Sequence, residues 1–199
     1  MTELKFFNRW GSEGITIPDV GLVNYISIEP KISPKTGARY AGNRFHKSSV
    51  SIVERLTTKL MITGHKGKKH FMSSGHNTGK KDIALKTVER ALAKCEVKLK
   101  ENPIAILVRA IINSAPREEV IAIEYGGARY PKSVDVAPQR RVDLALRYIT
   151  QAAYLKSFNK KMSVEDALAT EIINASLCSS KSSAISKKRD LERQASSSK

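Results

Sequence analysis

Val120-Ile-Ala-Ile-Glu-Tyr125-Gly126-Gly127-Ala-Arg129-Tyr-Pro-Lys-Ser-Val-Asp-Val136 is the one strong strand signal in a chain of 199 residues whose other periodic segments read as helices. Two β-prone runs flank a Gly-Gly pair that tolerates the positive φ angles of a tight hairpin. Pro131 cannot donate to a ladder, which excludes a central strand. An isolated two-stranded ribbon fits, projecting with Arg129, Tyr130 and Lys132 near its tip. A hairpin packed down as a structural element fits the same residues.

Helices stand on both sides. Upstream, Asn102-Pro103 is a start signal, with Asn as cap and Pro where a missing N–H costs nothing. The helix from Pro103 to Ser114 is almost wholly apolar and belongs at the centre of the core; Pro116 ends it. Downstream, Pro138 opens a helix to about Ser157 with Val142, Ala145, Leu146, Ile149, Ala152 and Ala153 inward. Arg140 and Arg141 fall in its first turn, where the helix dipole disfavours cations, so bound phosphates would explain them.

Further out, Ser51-Ile-Val-Glu54 reads as a capping box for a helix ending near Gly64, with Ile52, Val53, Leu56, Leu60 and Met61 as its apolar stripe. Arg55 and Lys59, at i and i+4, are expected on another, outward face. A second helix runs from about Lys80 to Lys100, its stripe being Leu85, Val88, Leu92, Cys95 and Leu99, with Cys95 a core residue. Ser163 caps a helix to about Leu177, and 186–193 forms a short last helix. Residues 1–50 hold three prolines and no sustained period, so they read as an irregular arm with a short strand near Leu22–Ile28. The expected layout is therefore an N-terminal arm over 1–50, a mainly α domain of about six helices over 51–178, and a basic tail over 179–199.

Charge is laid out unevenly. The chain carries a formal +16, and residues 31–81 hold twelve lysines and arginines against one carboxylate, Glu54. Residues 1–30 sum to −2, 82–125 to zero and 126–199 to +7. Like charges at this density oppose compaction, and a polyanion, foremost RNA or DNA phosphate, supplies the missing sign. The loop 64–81, rich in Gly, Ser and Lys, cannot hold a core of its own and is expected to order against phosphates. Small residues between the cations of 35–47 allow close backbone approach to phosphate; a plain solvated loop is the alternative. With six Tyr, five Phe and one Trp, base stacking on an aromatic platform is not the main mode of binding.

Other chemistries lack their residues. Gly75-His-Asn-Thr-Gly79-Lys80-Lys81 is one residue short of a nucleotide-binding loop, with Lys81 where a Ser or Thr belongs and no strand before it. His46, His65, His70 and His76 have no Cys partners at finger spacing and no helical i, i+4 pairing, so no metal is expected. No nucleophile motif, dinucleotide fingerprint or paired carboxylates appear, which leaves no enzyme and no cofactor. Two cysteines make no disulfide framework, no apolar run nears the roughly 20 residues of a membrane span, and Met1-Thr-Glu-Leu does not start a signal peptide. The chain reads as soluble and intracellular. A helical DNA-binding regulator shares the basic charge but needs a recognition helix and a dimer face.

Phe45-His-Lys-Ser, Ile52-Val-Glu-Arg-Leu-Thr-Thr-Lys-Leu-Met61, His70-Phe-Met, Asn77-Thr-Gly-Lys-Lys81, Asn102-Pro-Ile, Ser114-Ala-Pro-Arg-Glu118, Tyr125-Gly-Gly-Ala-Arg-Tyr130 and Val134-Asp-Val-Ala-Pro-Gln-Arg-Arg141 together resemble the universal small-subunit ribosomal protein seven family. The match runs from about Phe6 to Gln194 and looks like the archaeal branch, close to the eukaryotic form. The resemblance implies a helical domain with a protruding ribbon that binds the 3′ major (head) domain of small-subunit rRNA early in head assembly. It implies a monomer within the cytoplasmic ribosome, beside other small-subunit proteins, the exit-site tRNA and the departing mRNA. Where the family often has a Cys-Tyr-Arg element after the fourth helix, this chain reads Leu155-Lys-Ser-Phe158. With the charge pattern, the expected rRNA-facing residues are Lys35, Arg39, Arg44, Lys47, Arg55, Lys59, Lys66, Lys68, Lys69, Lys80, Lys81, Arg140, Arg141, Lys187 and Lys188. Tyr125, Gly126, Gly127, Arg129, Tyr130 and Lys132 form the expected tRNA-facing ribbon.

Overall fold

Helix α3, Pro103–Ser114, is apolar over most of its surface, with Arg109 alone exposed, and the fold closes around it. Ile104, Ile106, Leu107 and Ile111 are fully buried. Each such side chain contributes about 1.5–3 kcal/mol relative to exposure. The computed structural model describes residues 4–31, 42–63, 65–66, 69–70 and 79–199. Within them lie five further α-helices: α1 Ile52–Met61, α2 Lys81–Leu99, α4 Pro138–Ser157, α5 Val164–Ser176 and α6 Ser183–Ser196. Helix α5 is the hub, packing on α2, α3 and α4 through Ala167, Leu168, Ile172 and Ala175. Cys95 of α2 is buried as expected, its thiol set against the Ala169 carbonyl at 3.7 Å.

The expected caps hold at Asn102 and Ser163, and Ser182 adds a third that was not expected. Asn102 Oδ1 accepts from the Ile104 amide at 3.0 Å, Ser163 Oγ from Asp166 at 3.1 Å and Ser182 Oγ from Ile185 at 3.3 Å. The capping box at α1 does not form. The Ile52 amide donates instead to the Ser27 carbonyl at 2.9 Å, and the buried Glu54 carboxylate takes Lys81 Nζ at 2.6 Å. Backbone from the N-terminal arm satisfies the Ile52 amide, and the Ser51 hydroxyl is buried without a hydrogen bond among the described residues. The expected stop at Gly64 lies outside the described residues.

The arm itself departs from the reading as irregular extension. Phe6, Trp10, Leu22 and Ile26 are buried in the common core. Trp10 Nε1 donates to Glu96 at 3.0 Å. In place of a strand near Leu22–Ile28 there is a 3₁₀ turn, Val20–Tyr25, followed by a single parallel bridge between Ser27 and Ser51. The cause is Asp19, whose carboxylate accepts from the Gly21 amide at 3.0 Å and starts a turn where a short strand was expected.

Strands β3 Glu118–Tyr125 and β4 Ala128–Asp135 form the expected antiparallel ribbon, in register from Glu118 opposite Asp135 to Tyr125 opposite Ala128. Gly126 and Gly127 turn it with φ of 58° and 79°. Residues 121–132 are exposed, so the ribbon protrudes. Two further short strands, His65–Lys66 and Lys69–His70, pair antiparallel inside the span read as a loop. We number them β1 and β2.

Helix α6 is longer and starts earlier than the short helix expected within a basic tail. Its start is fixed by a buried carboxylate: Glu171 of α5 accepts from Ser182 Oγ at 2.7 Å, from the Ala184 amide at 3.0 Å and from Lys156 Nζ. Residues beyond α6 return to the ribbon base, where Lys199 Nζ lies 2.8 Å from Glu118.

Candidate nucleic-acid interface

Helices α1 and α4 lie side by side with charged residues at i, i+4 on each: Arg55 and Lys59 on α1, Asp143 and Arg147 on α4. Asp143 is the shared anion. Lys47 reaches it at 3.4 Å and Arg55 at 3.3 Å, while Arg55 also donates to the Tyr25 carbonyl at 2.8 Å. Burial alone pushes Asp143 up, but the charges of Lys59, Arg55 and Lys47 outweigh it and hold the carboxyl below its usual range. Lys59 is half-buried, and among the described residues it makes no hydrogen bond or ion pair. Burial lowers the pKa of its ammonium; Asp143 opposes that, while Arg147, Lys47 and Arg55 add to it. The neighbourhood is therefore positive beyond what its own carboxylate neutralises.

Arg55 does not lie on an outward face. It is buried, 6% exposed, because its guanidinium ties the arm to α4 through Tyr25 and Asp143. Lys81 is likewise committed to Glu54. The same holds at the start of α4. Arg141 is 11% exposed and bound to Asp19 at 2.7 Å, and Arg140 makes a two-pronged pair with Glu119 of β3 at 2.8 Å. The chain's own carboxylates thus supply the negative charge expected from phosphate, although Arg140 keeps half its surface in solvent. On α6, Lys188 donates to the Asn113 carbonyl at 3.0 Å, and Lys187 lies 5.5 Å from the centre of the Tyr148 ring. Both are braces as well as cations.

Other expected residues are open to solvent. Arg44 lies over the exposed Phe45 ring at 5.4 Å. Lys80 is exposed where α2 begins. On the ribbon, Tyr125 is 81% and Tyr130 58% exposed, and Arg129 approaches Glu124 at 3.6 Å. Ile121, Ile123 and Tyr125 share one ribbon face, with Lys132 and Tyr130 opposite Ile121 and Ile123. Lys35, Arg39 and Lys68 lie outside the described residues, and Lys66 and Lys69 are described by backbone alone. Asp143 and Arg147 were missed by the sequence reading; their spacing opposite Arg55 and Lys59 was the available signal. Among the described residues no cluster of His, Cys, Asp or Glu is arranged to hold a metal, and no helix is long and apolar enough to cross a membrane.

Comparison with known proteins gives this arrangement a context. Residues 23–199 match the family model for ribosomal protein S7p/S5e. The chain belongs to that family. It is 49% identical over 195 residues to small ribosomal subunit protein uS7 of Nanoarchaeum equitans, covering 98% of each chain. Against the protein of the same name from Archaeoglobus fulgidus it is 44% identical over 195 residues, covering 98% of this chain and 95% of that one. The corresponding figures for Methanothrix thermoacetophila are 43% over 190 residues, with 96% and 97% covered. Membership in the S7p/S5e family makes the chain a structural constituent of the small ribosomal subunit, associated with rRNA and other ribosomal proteins, and not an enzyme.

Proposed function

We propose that the chain binds the 3′ major domain of small-subunit rRNA, nucleates the subunit head as a monomer among other ribosomal proteins, and presents its ribbon to exit-site tRNA and departing mRNA. The observation that carries this reading is the surplus of cations around Asp143, with Lys59 half-buried and, among the described residues, making no hydrogen bond or ion pair although the Asp143 charge favours its ammonium. An ammonium held in a partly desolvated place, where like charges outnumber the carboxylate that faces them, is favoured by a further anion. The open cations Arg44, Lys47, Lys59 and Lys80 are the direct phosphate contacts, together with the lysines and arginine of 35–39 and 66–69. Arg55, Lys81 and Arg141 act one step back, as braces for the elements that present them. Counterion release and shape supply the affinity, with little reading of base edges.

Binding of a head-domain rRNA fragment by the full chain, titrated across salt, tests this. With about six to ten phosphates neutralised, affinity falls by roughly three to five decades between 50 and 200 mM salt. Tighter binding to duplex DNA at equal salt would favour the DNA-binding regulator and overturn the reading.

A further inference from the structure

The space between α1, α4 and the 3₁₀ turn His46–Ser49 is concave. It forms a cleft of about 260 Å³ whose lining brings Lys47, Arg55, Lys59 and the carboxylates Glu54 and Asp143 together with the apolar Val50 and Ile62. His46 stands at its edge, its Nδ1–H donating to the Asn43 carbonyl at 2.6 Å. Phosphates along a regular duplex are met by convex or flat cationic surface, which needs no such hollow. A volume close to the lower limit of small-ligand pockets, about 300 Å³, fits one nucleotide and not a helix.

We propose that this cleft seats a single nucleotide extruded from the bound RNA, its phosphate on Lys47 and Lys59 and its base against Val50 and Ile62. The inference rests on the rRNA-binding reading and specifies what that RNA must offer: a bulged or looped residue, unstacked from its neighbours. Three observations converge on it. Three cations, Lys47, Arg55 and Lys59, line the cleft against two carboxylates, of which Glu54 is already paired with Lys81, so an anion completes the charge. Lys59 has no partner of its own among the described residues, so it is available without breaking an existing bond. Ile62, at the end of α1, is 37% exposed, an apolar surface left open beside a charged one, as a nucleotide with its two unlike ends requires.

The test uses the full chain and amide chemical shifts at Val50, Thr58 and Ile62, titrated separately with inorganic phosphate and with the four nucleoside 5′-monophosphates. The monophosphates are expected to bind roughly tenfold tighter than phosphate, the scale of burying about 50 Å² of apolar surface. Lys59→Met keeps the aliphatic stem and should weaken every probe. Ile62→Ser should abolish the preference for nucleotide while leaving phosphate binding intact. Equal binding of phosphate and nucleotide, or shifts lying elsewhere, overturns the proposal. Addition of the head-domain rRNA fragment should displace the monophosphate, and simultaneous occupancy overturns the assignment to RNA. Failure of the wild-type chain to bind that fragment at all refutes the broader rRNA reading. Full-affinity binding of the fragment by both variants, with no shift at the cleft, refutes this inference alone.

Discussion

The Arg141 guanidinium lies 2.7 Å from the Asp19 carboxylate, joining residues 122 apart in sequence and fastening the N-terminal arm to the first turn of α4. Arg140, its neighbour, holds the ribbon through Glu119. Adjacent arginines therefore hold two different elements. Arg141→Ala is expected to destabilise the fold by about 2 kcal/mol, below the range for a fully buried pair because Asp19 keeps some solvent. Amide exchange should quicken around residues 19–26. Arg140→Ala should cost under about 1 kcal/mol, as an exposed pair does. Equal losses from both variants would count against this division of labour.

Acid should loosen the same joints. Asp143 and Asp19 both have folded-state pKa values below their ordinary ones. At Asp19 burial acts upward, and the Arg141 hydrogen bond and charge outweigh it. Their contribution is full above the unfolded value of about 3.9 and is lost as pH falls through the lower folded values. Melting temperatures measured from pH 7 down to pH 3 should show Asp143→Asn less stable than wild type at pH 7, with the gap closing in acid. A gap that stays constant would mean that Asp143 is not held as its charge.

The two thiols should separate cleanly. Burial pushes the Cys95 thiol up to about 12, whereas Cys178 is exposed. At pH 8 a thiol reagent is expected to label Cys178 alone, and Cys95 only after denaturant is added. Mass spectrometry after proteolysis reads the outcome, and early labelling of Cys95 would contradict the packing of α2 on α5.

Shortening the ribbon tip separates assembly from exit-site work. Removal of residues 124–129 leaves the base pinned by Arg140, Lys199 and the hydrogen bond that the Arg117 N–H donates to the Glu192 carboxylate, so rRNA binding should persist. Binding of deacylated tRNA to reconstituted subunits is expected to change. Loss of rRNA binding instead would show that the ribbon carries structure.

Much of the fold was readable because it follows from local rules. The apolar run after Asn102-Pro103, the Gly126-Gly127 turn and the Ser163 cap each depend on residues a few positions apart. The readings that changed depend on distant partners. Ser51 makes no cap bond while the Ile52 amide reaches the distant Ser27 carbonyl, and the arm joined the core through Trp10 and Glu96, 86 residues apart. The candidate interface divides the same way. A cation's sign is evident in sequence, but whether a carboxylate already claims it is decided by tertiary structure. Arg55, Lys81 and Arg141 are each claimed by a carboxylate, while Lys59 makes no hydrogen bond or ion pair among the described residues.

Lys59 has a further consequence for how robust the lone molecule becomes. A leucine there would relieve the crowding of like charges near Arg147 and Lys47 and the cost of burying an ammonium, raising heat resistance while removing what a nucleic acid grips. Selection for partnership thus sets a ceiling on solitary sturdiness. Libraries screened for thermal survival without RNA should enrich replacements at this position, and those same clones should fail to rejoin particles.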